Sequence, residues 1–215
     1  MNIVLKLIKF GLIASFINGC AKNPLGSAFN QSYKPEFDCG FVQNVYGERI
    51  SWKTNIPIRF YIHESVPPEF RSVIESAMKK WEQVTSRELF QIVSKSYSGP
   101  DNPRQDGLNI IYWLKTWDPN RSSEQGRTSV YWIGNEIREA DIRINALNFT
   151  YYIDQPKSVR DVHFESLIIH ELGHVLGLKH IDDGMSVMGT YLSSSTERTH
   201  ITGADASSLQ CEYKF

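Results

Sequence analysis

His170-Glu171-Leu172-Gly173-His174-Val175-Leu176-Gly177-Leu178-Lys179-His180 constrains this chain more than any other stretch. Read as H-E-x-x-H-x-x-G-x-x-H, it requires a helix, a break and a return. Two histidines four apart on a helix lie about 40° apart around its axis and project from one face. Both can reach one metal ion. Glu171 is offset from them, where its carboxylate meets a water on the metal rather than the metal itself. Gly177 lets the backbone leave the helix, because only glycine enters the left-handed region cheaply. The chain can then turn back and deliver His180 as a third donor. Three imidazoles leave a fourth position of a Zn²⁺ ion open, which separates catalytic zinc sites from closed structural ones. An unligated carboxylate has no purpose beside a purely structural metal. The spacing therefore points to hydrolysis, with Glu171 catalytic and His170, His174 and His180 as ligands.

Downstream, Ser186-Val187-Met188-Gly189-Thr190-Tyr191 follows His180 by a few residues. Together the two segments resemble the metzincin metalloproteases, whose second signature is a methionine-containing turn. Ser-Val-Met at this distance looks most like the matrixin branch. The resemblance places Met188 beneath the zinc without ligating it. It implies an α/β (α+β) catalytic domain: a mixed, twisted five-stranded sheet, three main helices and the Met-turn. It also implies zinc-dependent cleavage of internal peptide bonds. Substrate would lie along residues 128–133 as the sheet edge, and Asp205 would brace the Met-turn. Two departures stand out. Matrixins carry Pro-x-Tyr after the turn, and here proline is absent. Thr190, not tyrosine, stands two residues after Met188, so a tyrosine ligand is not supported.

Length and composition agree with one globular domain. The chain has 215 residues, 41% hydrophobic and 22% charged, with a net charge of −1. No basic run or stripe suggests nucleic acid. Periodicity alone gives an α/β mixture. Residues 56–63 alternate like a strand, and Pro67-Pro68 opens a helix over 68–84 with an apolar stripe from Phe70 to Val84. Strands are expected at 89–93, 108–114, 128–133 and 139–145, and a polar loop over 116–127. The catalytic helix should run over 161–176, capped near Asp161, and a last helix from Thr202 to Tyr213. His163 is too far along the helix to join the same metal, and His63 and His200 read as structural or surface residues. Asp118, Asn120 and Glu124 are the residues considered for structural Ca²⁺, although their spacing matches no calcium loop.

The N-terminus reads separately from the domain. Lys6 and Lys9 precede a short apolar run, too short for a membrane span and suited to an export signal over 1–19. Ile17-Asn18-Gly19-Cys20 looks like a bacterial lipobox with Cys20 as the lipidated residue. Residues 20–36 read as a tether, and 37–215 as the peptidase domain. Ala21 resembles lipoproteins sent to an outer membrane; without lipidation the protein would be secreted. Cys39 and Cys211 remain. An even pair in an exported chain points to a disulfide. The alternative is a latency switch, since Asp38-Cys39-Gly40 resembles part of the matrixin cysteine switch. The expected partners are a protein or peptide substrate and, through the anchor, a membrane; a monomer is expected. A competing reading is a non-catalytic surface lipoprotein, an adhesin or binding module on the same fold. Another is a metal hydrolase acting on something other than protein.

Overall fold

The computed structural model of the chain describes residues 36–213; the export signal and Cys20 lie outside the described residues. Helix α1 (Pro68–Thr85) begins on a proline, where a missing backbone N–H costs nothing. Phe70, Val73, Ile74, Ala77, Met78 and Trp81 recur at three- and four-residue steps and are buried. Trp81 is wholly enclosed, and its indole N–H donates to the Ile169 carbonyl at 2.9 Å. Its burial contributes about 2–3 kcal/mol without leaving a polar atom unpaired.

The sheet comprises β1 (Ile58–His63), β2 (Phe90–Tyr97), β3 (Asn109–Leu114), β4 (Gly126–Ile133) and β5 (Glu136–Asn145). Their order is β2-β1-β3-β5-β4. All neighbours are parallel except β4 and β5. Parallel neighbours need long crossovers, and α1 supplies the one from β1 to β2. Strand β5 turns back from β4 and inserts beside β3, which leaves β4 at the edge. Successive side chains alternate between sheet faces. Ala140, Ile142 and Ile144 therefore join the core, while Glu139, Asp141 and Arg143 occupy the opposite face. Across the β4–β5 ladder, Thr128 sits opposite Ile142 and Arg127 opposite Arg143.

Helix α2 (Phe164–Val175) buries Phe164, Leu167, Ile168, Ile169, Leu172 and Val175. It packs on α1 and on the β4 side of the sheet, and α3 (Gly203–Tyr213) packs on α1. This is the mixed α/β architecture with three helices anticipated above.

Several boundaries differ from expectation. Helix α2 starts at Phe164, not 161, and Asp161 does not cap it. The Asp161 carboxylate instead accepts the backbone N–H groups of Lys157 and Ser158, both at 2.8 Å, and the Thr150 hydroxyl. A two-residue ladder intervenes, pairing β6 (Tyr151–Tyr152) with β7 (Val162–His163). His163 is structural: it is buried between the Ser166 hydroxyl and the Ile153 carbonyl. His63 is likewise buried, against Ser65 and the Gly99 carbonyl. Strands β2, β4 and β5 run longer than expected, and Pro119–Arg121 forms a 3₁₀ turn inside the presumed loop. Glu124 is bound by Arg121 and Arg127. Arginines therefore meet the acid considered for Ca²⁺, and His170, His174 and His180 are the only cluster among the described residues that could hold a metal.

Cys39 and Cys211 form a disulfide, so the Cys39 sulfur is committed to α3 and is not a free switch thiol. Beside it, Glu212 accepts from Arg49 Nε (2.7 Å), Ser51 Oγ (2.7 Å) and Lys53 Nζ (2.6 Å). Burial alone would raise this carboxyl, but the hydrogen bonds from Lys53, Ser51 and Arg49 outweigh it and hold it below its ordinary value. Because the folded value is lowered, the ionised cluster stabilises the fold above the unfolded-state value near 4.3. That contribution disappears as pH falls through the folded value. Glu212→Gln should therefore cost about 1–2 kcal/mol at pH 7. Urea denaturation should show the gap closing below about pH 4. A gap that stays constant with pH would exclude the ionised carboxylate as its source.

Candidate active site

Helix α2 presents His170 and His174 on one face, one turn apart. Gly177 then takes φ +99°. Leu178 N–H reaches back to the Gly173 carbonyl and Gly177 N–H to the His174 carbonyl, both at 3.0 Å. This pair of bonds is the glycine-terminated helix stop, with Gly177 as the left-handed residue. Two neighbours hold the departing chain. On one side, Val42 N–H donates to the Gly177 carbonyl and Lys179 N–H to the Gly40 carbonyl. On the other, Ile181 N–H donates to the Met188 carbonyl. His180 lies between these supports.

The three Nε2 atoms converge, with His170–His174 and His170–His180 at 3.1 Å and His174–His180 at 3.0 Å. His170 Nδ1 lies 2.7 Å from the Val187 carbonyl and His174 Nδ1 2.8 Å from the Leu178 carbonyl. A carbonyl oxygen only accepts, so both Nδ1 atoms carry the proton and both Nε2 atoms face inward as lone pairs. Lone pairs that close repel unless a cation stands among them. All three rings are held neutral. Burial, reinforced by the repulsion that a second proton on His174 would meet, pulls His170 down to about 3. Burial is also the main cause of the lowered values of His174 and His180. Neutral imidazoles with convergent lone pairs suit a zinc-type cation with one position left open.

Glu171 is buried and does not point into this triangle of donors. Its Oε2 accepts the Thr128 hydroxyl at 2.6 Å. Burial pushes the Glu171 carboxyl up to about 7; the Thr128 hydrogen bond opposes the shift and the Glu124 charge adds to it. A Cβ at Gly126 would stand 2.8 Å from Glu171 Oε1, so the edge strand closes tightly over the carboxylate. A cleft of about 410 Å³ runs past these groups, between β4 on one side and Thr190, Tyr191 and Leu192 on the other.

The Met-turn holds the floor. Met188 is buried, with its sulfur so close to Gly173 that a Cβ there would overlap it. Asp205 braces the turn as expected: it accepts the Ser186 hydroxyl and, at 3.2 Å, Val187 N–H. Asp205 also pairs with Thr202 in a capping box, each accepting from the other's backbone N–H. A chain of contacts thus runs from α3 through Asp205 and Val187 to the His170 ring.

Of the residues singled out in sequence, His170, Glu171, His174, His180 and Met188 come together here. Cys39 and Cys211 meet elsewhere. Thr128, Gly126 and Arg198 carry no sequence signal for their roles; Arg198 clamps the carbonyls of Gly184 and Gly189. Gly173 could have been noticed, as a glycine inside a helix costs stability unless something needs its space.

Among curated proteins, none matches the chain. The family model described as matrixin, a peptidase family, matches residues 51–214, which take in the sheet, all three helices, the three convergent histidines and the Met-turn. The chain belongs to the matrixin family of peptidases.

Proposed function

We propose that this protein is a zinc-dependent endopeptidase in which His170, His174 and His180 hold one Zn²⁺ and Glu171 is the general base. The observation that carries this reading is the convergence of the three histidine Nε2 atoms beside a buried carboxylate, in a cleft bordered by a sheet edge. Bound zinc supplies Lewis acidity there, acidifying water and steadying negative charge on the attacked carbonyl oxygen. The free edge of β4 offers backbone N–H and C=O groups to an extended peptide, which adds as a further strand. Glu171 takes the proton of the attacking water and returns it to the leaving amine. Burial favours the proton-carrying form of this carboxyl, which suits it to hold the proton between the two transfers. The Thr128 hydroxyl fixes which way that carboxylate faces. The presence of Glu171 disfavours the non-catalytic adhesin reading, since a binding module has no need of it.

Metal removal tests the proposal. Dialysis against a chelator should reduce cleavage of a denatured protein to background, and stoichiometric Zn²⁺ should restore it. Mass spectrometry should locate the cuts at internal peptide bonds. Zinc-loaded protein that cleaves nothing, or cleavage indifferent to the chelator, would sink the proposal.

We also propose that residues 1–19 are an export signal, that Cys20 is lipidated, and that 20–36 tether the 37–215 peptidase domain to a cell-envelope membrane. What supports this is the lipobox-like Ile17-Asn18-Gly19-Cys20. A Cys20→Ser variant should leave the membrane fraction; one that is exported yet still sediments with membranes counts against the anchor.

A further inference from the structure

Behind the edge strand, on the sheet face turned away from the helices, Arg127 of β4 stands directly across from Arg143 of β5. Like charges at such a cross-strand position repel. Both guanidinium side chains line a cavity of about 320 Å³, walled in part by Asn102, Thr116, Trp117 and Asp118. The two arginines are not equally compensated. Arg127 donates to Glu124 through Nε, at 2.8 Å, and through its terminal nitrogen, and it lies 5.8 Å from the centre of the Trp117 ring. Among the described residues Arg143 forms no salt bridge. Its hydrogen-bond partner is the neutral Ser129 hydroxyl, and its buried Nε has no acceptor. Desolvation and then the Arg127 charge lower the Arg143 value, and the nearby Tyr131, Asp141 and Glu124 oppose the shift without reversing it. Asp118, on the rim, does not fill that role: it accepts Asn120 N–H and lies 3.7 Å from Arg121.

We propose that the cavity between Arg127 and Arg143 is a binding site for a small oxyanion, phosphate or a carboxylate of similar size. A planar guanidinium presents paired donors that match such groups, and the neutral polar residues Asn102 and Thr116 stand in the same wall. The volume admits the anion with some of its water. Because Arg127 borders the catalytic cleft as well, the anion would sit against the back of the strand that closes over Glu171. The site does not depend on the peptidase reading, and binding alone tests it.

The probes are inorganic phosphate and acetate, titrated calorimetrically into the zinc-loaded protein at fixed ionic strength. Saturable binding of at least one is expected; which one binds better separates a phosphate site from a carboxylate site. Phosphate can also meet the metal, so Arg143→Gln is the discriminating variant. It should weaken the binding by about tenfold or more. If circular dichroism shows that Arg143→Gln does not fold, Arg143→Lys takes its place. It keeps the charge but loses the paired geometry, and its binding should also be weaker. No saturable binding of either anion, or an affinity unchanged in the folded variant, overturns the proposal.

Discussion

Glu171→Ala should abolish peptide hydrolysis while leaving the metal in place. Removing a positioned general base costs about 10²–10⁴-fold in rate. The three imidazoles are oriented through Val187, Leu178 and the Gly177 turn, none of which touches the Glu171 carboxylate. Zinc content and substrate KM should therefore change little, and kcat should carry the loss. Stability should not fall at pH 7 either, because burial disfavours the ionised carboxylate that the substitution removes. Steady-state cleavage of a fluorogenic denatured protein, with zinc measured by atomic absorption, separates these quantities. A zinc-loaded variant whose kcat stays within about threefold of the parent would remove Glu171 from the mechanism.

Gly177→Ala should be the most damaging single methyl group in the molecule. At φ +99°, an L-residue is strained whatever the space around it. The space is also missing, because the new Cβ would strike the Ile50 backbone carbonyl oxygen and come within 3.1 Å of the Phe41 ring. Backbone strain and overpacking each cost about 1–3 kcal/mol. For a domain of this size their sum, about 2–6 kcal/mol, corresponds to a fall in Tm of about 4–24 °C. The effect reaches the site as well. Gly177 is where the chain turns so that His180 can face His170 and His174, so zinc affinity should fall with stability. Thermal unfolding of the apoprotein and competitive zinc titration of the folded variant measure the two losses. A Tm within about 2 °C of the parent would contradict the strain argument.

Both residues announce themselves in the sequence. Both belong to one short segment whose spacing is meaningful by itself, because helix geometry and glycine's conformational range are local properties. Ser186-Val187-Met188 was legible for the same reason, and so were the apolar stripe of α1 and the Thr202 start of α3. Asp161 misled because a short acidic residue before an apolar run has the local form of a helix cap. Here β7 intervenes, and the carboxylate turns to the backbone of Lys157 and Ser158 instead. The cysteines were ambiguous in sequence, since a thiol near the domain entrance suits either a disulfide or a metal. The approach of α3 to residue 39 makes the disulfide.

Other relationships could not be read at all. Thr128 meets Glu171 only because β5 inserts beside β3 and sends β4 to the edge above α2. Arg127 faces Arg143 only in this ladder register. Shifting β4 by one residue would turn Arg127 toward the helices while β3 still holds Arg143 in place. Gly173 must be glycine because Met188 arrives beneath it.

The sequence alone determined the donor set, the carboxylate beside it, the turn that returns the third histidine and the matrixin resemblance. Each rests on residues close enough along the chain for backbone geometry to relate them. Tertiary structure decided which tautomer each of His170 and His174 adopts, what raises Glu171, which strand borders the cleft and where two arginines are left facing each other. Those depend on burial and on contacts between distant segments. Chain spacing does not encode them, because they exist only once the sheet order and the helix packing are in place.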